Sequence, residues 1–194
     1  RVSLGTKAKA AFTEWTFGFT DRLSATAGVR YTDEKKSLQG TLFNVAPATA
    51  PEPATFPNAL CPFNGPPPTQ TGCLFLSTAP FRLKFSDTTT SGSIQYRWND
   101  AAMTYASYSE GFKSGGFNQR YNAAPPGNAP ISFGAETAKT FEIGAKLNPL
   151  PGLRVNAALF TTKYDDIQMT YRLGVVPLLF NAGRATIKGG EIEV

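Results

Sequence analysis

The stretch "LSATAGVRY", residues 23–31, decides the reading of the whole chain. Leu23, Ala25, Ala27, Val29 and Tyr31 share one parity, and Ser24, Thr26, Gly28 and Arg30 share the other. A period of two is a strand with one apolar and one polar face. The same alternation recurs in both directions along the chain. "FTEWTFGF" (12–19) groups Thr13, Trp15, Phe17 and Phe19, and "SIQYRWN" (93–99) sets Ile94, Tyr96 and Trp98 against Ser93, Gln95, Arg97 and Asn99. "KTFEIGAKLN" (139–148) sets Phe141, Ile143, Ala145 and Leu147 against Thr140, Glu142, Gly144, Lys146 and Asn148, and "LRVNAAL" (153–159) follows suit. No helical period competes in these windows. The pattern predicts about seven strands, over 7–19, 22–35, 83–98, 101–113, 137–147, 153–170 and 180–194.

Composition narrows the chemistry. The 194 residues carry a formal net charge of +5, with 18 Gly, 15 Pro and 15 Phe against 2 Met, an all-β type of usage. No apolar run reaches the roughly 18 residues of a transmembrane helix. There is no signal peptide, Arg1 is not an initiator methionine, and the chain stops inside the strand-like "GGEIEV", so it reads as an internal fragment. With no histidine, neither a Ser–His–Asp triad nor a His-ligated metal site can be assembled, and no cofactor is expected. Asp165 and Asp166 are adjacent, face opposite ways in a strand, and make a poor acid–base pair, so an enzyme is not expected. The cations are spread along the chain and give no nucleic-acid footprint.

The connections say more than the strands. Tight turns at 20–22, 99–100 and 149–152 alternate with long excursions at 36–82, 114–136 and 171–180. In an up-and-down antiparallel sheet this puts tight turns at one end and long loops at the other, the asymmetry of outer-membrane β-barrels. The apolar face of 23–31, at about 3.3 Å per residue and a tilt near 40–45°, covers about 21–23 Å, close to the apolar band of such barrels. Trp15 and Trp98 lie near tight turns on apolar faces, where an interfacial girdle belongs, with Tyr31 a candidate for the opposite girdle. Arg30, Arg97, Glu142, Lys146 and Arg154 lie on polar faces that suit a wet lumen better than a dry core. A soluble sandwich or barrel is the alternative. Phe160 and Tyr164 break the parity of 153–170, through either a bulge or a strand that continues beyond the membrane.

Residues 41–80 hold nine of the prolines and a single charge, Glu52, as polyproline-like segments of a long loop. Cys61 and Cys73, the only cysteines, both lie there and suggest a disulfide in an oxidising compartment; two free thiols are the alternative. Two thiolates without His or further Cys partners make a weak case for a metal.

"MTYASYSEGFKSGGFNQR" (103–120) resembles the barrel domain of TonB-dependent outer-membrane receptors: an aromatic-rich strand, then Gly-Phe-Lys and a glycine pair. "FGFTDRLSATAGVRYTDEKK", "SGSIQYRWNDAAMTYASYS", "FEIGAKL", "LFTTKYDDIQ" and "NAGRATIKGGEIEV" resemble other segments of that family, in one consistent order. The resemblance implies an all-β, antiparallel up-and-down transmembrane barrel, of which residues 1–194 are a partial wall without the plug, and 36–82 a long extracellular loop. It implies the outer membrane of a Gram-negative bacterium, contact with outer-membrane lipid, and a TonB complex reached through the missing plug. The ligand it implies is scarce and extracellular, most often a ferric siderophore. In that transport reading Lys113, Arg120 and Tyr121, at or above the rim, are candidates to meet an anionic ligand. "EGFKSGGF" lacks P-loop spacing, and its glycines read as bends where a strand leaves the membrane. A passive porin or adhesin-type barrel, and a soluble secreted β domain such as a lectin, stand as alternatives.

Overall fold

The structure is a computed structural model that describes residues 2–45, 71–76, 80–118, 131–173 and 176–194. Those residues form twelve strands and no helix. Seven make one continuous antiparallel wall, in the order β1 (Val2–Gly18), β2 (Leu23–Val45), β4 (Phe81–Asn99), β5 (Ala102–Lys113), β8 (Glu136–Leu150), β9 (Leu153–Asp165) and β12 (Arg184–Glu193). Every wall strand pairs with its predecessor in the wall, and β1 and β12 are the outer strands of the sheet. A short β3 (Thr71–Leu76) pairs with the far end of β2. Two small ladders, β6 (Gly116–Phe117) with β7 (Ser132–Phe133) and β10 (Gln168–Leu173) with β11 (Val176–Asn181), complete the description.

The turns form as their chemistry dictates. At 19–22 the Thr20 hydroxyl accepts from the amides of Arg22 and Leu23 at 3.2 and 3.0 Å, and the amide of Phe19 donates to the Leu23 carbonyl. At the next turn the Asn99 side-chain oxygen accepts from the Ala101 amide at 2.8 Å. At the third, Pro151 precedes Gly152, whose φ of 83° is the left-handed value that a type II turn requires. Successive hairpins are staggered: β4 runs from Gln95, opposite Ser24, to Asn99, and β8 from Leu147, opposite Ala102, to Leu150. Such a stagger is what tilted strands produce.

Register sorts the side chains into two faces. One cross-strand row reads Phe17, Ala25, Ile94, Ala106, Ile143, Leu159 and Gly190. A row on the opposite face reads Thr26, Ser93, Ser107, Glu142 and Phe160. The apolar face is open to its surroundings: Trp15, Phe17, Tyr31, Ile94, Phe141, Ile143 and Leu159 all stand exposed on it, and among the described residues the buried apolar side chains are Leu38, Phe117 and Ala158. A soluble sandwich would cover such a face with a second sheet.

Three expectations change. β2 continues ten residues past 35, to Val45, because its backbone goes on pairing with β1 as far as Val2↔Gly40 and with β3 beyond. The strand expected over 153–170 ends at Asp165. Asp166 takes φ 54°, a left-handed conformation that Asp tolerates, and β10 then leaves the wall. The loop expected at 171–180 belongs to the β10–β11 hairpin, and β12 starts at Arg184 instead of 180. The parity break at Phe160 is no bulge: the β8–β9 ladder is unshifted from Leu147↔Val155 to Thr137↔Asp165. Phe160 lies on the polar face, over Gly189, where an added Cβ would meet its ring at 2.7 Å.

Tyr105 crosses Gly144 in the same way, and an added Cβ would stand 2.5 Å from its ring and hydroxyl. The Tyr105 hydroxyl donates to Glu142 at 2.7 Å, so the ring cannot swing aside without losing that bond. Gly144→Val is expected to destabilise the full-length barrel by about 1–2 kcal/mol, overpacking being partly offset by strand propensity. Gly92→Ala, whose added Cβ would find nothing nearer than 3.8 Å, is expected to stay within about 0.5 kcal/mol. Urea unfolding in detergent micelles checks both; equal losses would contradict the packing argument.

Candidate functional site at the long-loop end of the polar face

The polar face is held by side chains that bond across strands. The hydroxyls of Thr16 and Thr26, and of Thr140 and Thr162, meet at 3.0 Å. Gln95 donates to the Ser24 hydroxyl at 2.7 Å, and Asn156 donates to Glu193 at 3.0 Å. The Lys146 ammonium stands 5.8 Å from the centre of the Tyr105 ring, and the Arg30 guanidinium 6.0 Å from that of Phe12. Arg30, Arg97, Glu142, Lys146 and Arg154 all fall on this face by register and alternation. Arg97, Lys146 and Arg154 come together, lining one concave recess at the tight-turn end with Asn148 and Asn156.

Toward the long loops this face changes character. Leu38, Phe81, Leu83 and Phe85 stand on it, opposite one another or opposite Glu34 and Lys36. The segment after β5 folds back onto them. Phe117, only 8 % exposed, packs with Leu38 of β2 and with Phe81 and Leu83 of β4. Gly115 permits this approach, because a Cβ there would collide with the Phe133 carbonyl oxygen and the Phe85 ring. The stretch 114–118 therefore turns over the polar face and narrows that end of the wall.

Three amide side chains fasten the segment. Asn118, 6 % exposed, donates to the Leu179 carbonyl at 2.8 Å and accepts from the Leu179 amide at 2.7 Å, as a backbone strand would. Gln168 donates to the carbonyls of Ser114 and Gly134 at 3.0 Å, while its amide donates to Glu136 at 2.6 Å. Asn181 accepts from the Gly134 amide at 2.6 Å and donates to the Asp166 carbonyl at 2.8 Å. The β6–β7 ladder and the β10–β11 hairpin are thus joined through side chains. The hairpin presents exposed Met169, Tyr171 and Phe180, the two rings 6.2 Å apart.

Lys113 is exposed at the end of β5, on the polar face opposite Glu136. Arg120 and Tyr121 lie outside the described residues, as does Cys61; Cys73 lies in β3 opposite Phe43, with only its backbone described. Trp15, Tyr31 and Trp98 are exposed on the apolar face. Trp98 donates to the Thr104 hydroxyl at 3.1 Å, and Trp15 stands opposite Ala27, the midpoint of 23–31. Asn118, Gln168 and Asn181 were not among the residues singled out from the sequence. One signal was available: apolar residues in β4 switch from even positions (Ile94, Tyr96) to odd ones (Phe81, Leu83, Phe85). On the apolar face beyond the band, Lys84 pairs with Asp33 at 3.1 Å, and that hydrogen bond, reinforced by the carboxylate's charge, raises the Lys84 pKa above its ordinary value. No group of three or more His, Cys, Asp or Glu that could hold a metal occurs among the described residues.

A sheet with one apolar and one charged face, tight turns at one end and folded loops at the other is a segment of a β-barrel wall. The sequence matches the family described as "TonB dependent receptor-like, beta-barrel" over residues 2–194, and the chain belongs to that family. Solved structures similar to it include the ferric yersiniabactin uptake receptor FyuA from Yersinia pestis, at 21% identity and a TM-score of 0.70 over 98% of this chain and 24% of that one. The ferric-catecholate import receptor Fiu from E. coli K12 follows at 17% and 0.66, over 98% of this chain and 25% of that one. The alcaligin outer-membrane receptor FauA from Bordetella pertussis follows at 18% and 0.57, over 98% and 27%. The chain thus spans about a quarter of the length of these structures. No curated protein sequence matches it.

The amide fastening is testable in place. Asn118→Ala leaves the Leu179 amide without its acceptor, a loss worth about 1–3 kcal/mol of local stability. Hydrogen exchange at Leu179 is expected to accelerate about tenfold or more, while β5–β8 amides keep their protection; unchanged exchange at Leu179 would contradict the fastening.

Proposed function

We propose that the chain is part of the wall of an outer-membrane receptor of a Gram-negative bacterium that takes up a scarce ligand by TonB-coupled active transport, and that this ligand is a ferric siderophore. The observation that carries the reading is the pairing of a charged inner face with an open apolar outer one across seven strands. Membership of the receptor family supports transport over catalysis. The printed names of three structural neighbours, receptors for ferric yersiniabactin, ferric catecholates and alcaligin, favour the siderophore.

On this reading Trp15, Tyr31 and Trp98 face lipid, and Arg30, Arg97, Glu142, Lys146 and Arg154 line the lumen. Lys113, Arg120 and Tyr121 meet an anionic chelate at the mouth by charge and hydrogen bonds. TonB acts through a plug domain, and Cys61 and Cys73 are bonded in the long extracellular loop.

Uptake of radioactive iron, presented as purified siderophores, tests the transport. Cells carrying the full-length protein are expected to accumulate one of them only when TonB is present. Uptake that persists undiminished without TonB would identify a passive pore instead.

Lipid contact is tested separately with single-tryptophan variants in vesicles of brominated phosphatidylcholine. Trp15 is expected to be quenched most by bromines deep in the chains, and Trp98 by bromines near the headgroup. Absence of quenching at both positions would remove the membrane reading.

A further inference from the structure

The polar face treats its charges differently at its two ends. At the long-loop end they are matched: Glu34 pairs with Lys36 at 3.3 Å, and Lys113 stands opposite Glu136. At the tight-turn end Arg97, Lys146 and Arg154 line one recess of about 380 Å³, and they make no ion pair among the described residues. Register explains the convergence. Arg97 stands opposite Met103, Met103 opposite Lys146, and Lys146 opposite Asn156, with Arg154 on the same strand as Asn156 and nearer its turn.

The carboxylates nearest these cations are tied to neutral groups instead. Glu142 accepts from the Tyr105 hydroxyl at 2.7 Å, and the Tyr105 ring lies over Gly144, the residue between Glu142 and Lys146 on that face. Glu193 accepts from the Asn156 side-chain amide at 3.0 Å. Glu191 shares a neighbouring recess with Lys146 and forms no ion pair with it. Among the described residues Asp100 is the one carboxylate lining the recess itself, exposed in the turn after β4. Three cations against one carboxylate leave the recess positive. Two guanidinium groups and an ammonium about one concave space, with the Asn148 side chain beside them, suit an anion of several charges, held by charge-assisted hydrogen bonds.

We propose that Arg97, Lys146 and Arg154 form a second anion site, at the tight-turn end of the polar face, that takes a multiply anionic ferric chelate on its way out of the lumen. The assignment rests on the transport reading given above and adds an exit station to it. Between the mouth and the recess the polar face offers the hydroxyls of Ser109, Ser107, Thr140 and Thr162. The chemistry also selects among chelates. Ferric iron held by three catecholate arms is triply anionic, whereas iron held by three hydroxamate arms is neutral, so the recess retains the first and not the second.

The test uses the full-length protein in detergent micelles, labelled with carbon-13 at its methionine methyl groups. Met103 lines the recess and Met169 is exposed on the mouth hairpin, so each reports on one end; Met103→Leu and Met169→Leu assign their signals. Ferric tricatecholate, whose paramagnetic iron broadens methyl signals close to it, is expected to broaden Met103. The combined Arg97→Gln, Lys146→Gln, Arg154→Gln variant is expected to need about tenfold more chelate for the same broadening, and the charge-retaining Arg97→Lys, Lys146→Arg, Arg154→Lys set less than about threefold more. The response of Met169 is expected to match the parent's in both. Neutral ferric trihydroxamate at equal concentration is expected to leave Met103 sharp. A Met103 signal untouched by ferric tricatecholate, equal broadening in the parent and the triple Gln variant, equal losses at Met103 and Met169, or equal broadening by the two chelates would each overturn the proposal. Comparing the two chelates on the parent keeps the test decisive if the triple Gln variant unfolds. The uptake assay given above tests the reading beneath this one separately: uptake undiminished without TonB sinks the transport reading, whatever Met103 shows.

Discussion

The ladder register is the constraint on which the rest of the wall depends. Between β1 and β2 it runs unshifted from Val2↔Gly40 to Gly18↔Ser24, and between β2 and β4 from Leu23↔Tyr96 to Leu38↔Phe81. Because side chains alternate with a period of two, a slip of one residue would exchange the two faces, putting Arg30 where Val29 stands. Among the ladders of the seven wall strands, the described irregularities fall at the turn ends, at Arg97/Asn99 and Leu147/Leu150, and one more lies where the far end of β2 pairs with β3, at Leu42/Phe43. Tyr105 over Gly144 and Phe160 over Gly189 add side-chain locks that only the native register satisfies.

How much of this could be read in the sequence follows from what each segment packs against. Leu23–Tyr31 and Phe141–Leu147 alternate cleanly because one face meets an apolar surrounding and the other a polar one. "TDEKKSLQGTLFNV" (32–45) is also strand, with one register shift at Leu42/Phe43 in its pairing with β3, but offers no apolar alternation, since both of its faces are polar over most of that length. The β10–β11 hairpin was hidden by Gly174 and Pro177; proline is acceptable there because the ladder has only two strands. Asp166 breaks the strand by a backbone angle that a run of alternating residues cannot reveal.

The mouth was the least legible part, for a different reason. Phe117 meets Leu38 and Phe81 across a large sequence separation, and Asn118 meets Leu179 across another. No local period encodes such pairs. What the sequence does carry is the parity exchange in β4, from Ile94 to Phe85, Leu83 and Phe81. With no bulge between β2 and β4, an exchange of parity means an exchange of face, and apolar residues on an otherwise polar face imply something to cover them. The covering segment is the glycine pair and Phe117 of "KSGGFN", whose glycines serve close approach over the wall as well as bending.

The edge of the apolar face confirms the tilt independently of the turns. One row runs Trp15, Ala27, Gly92, Tyr108 and Phe141. At its β2 end this row crosses the middle of the apolar run, at Ala27; at its β8 end it crosses the top, at Phe141, with Lys139 next on that face. The border of the band is therefore oblique to the rows, as a plane cutting across tilted strands must be. The lysines obey the same plane. On β1, β2, β8 and β9 they begin at Lys9, Lys35, Lys139 and Lys163, one or two outward-facing positions beyond the last apolar residue of the strand. A charge pattern drawn by solubility alone would follow strand length or loop position; one that follows an oblique apolar border is set by the surface against which that border lies.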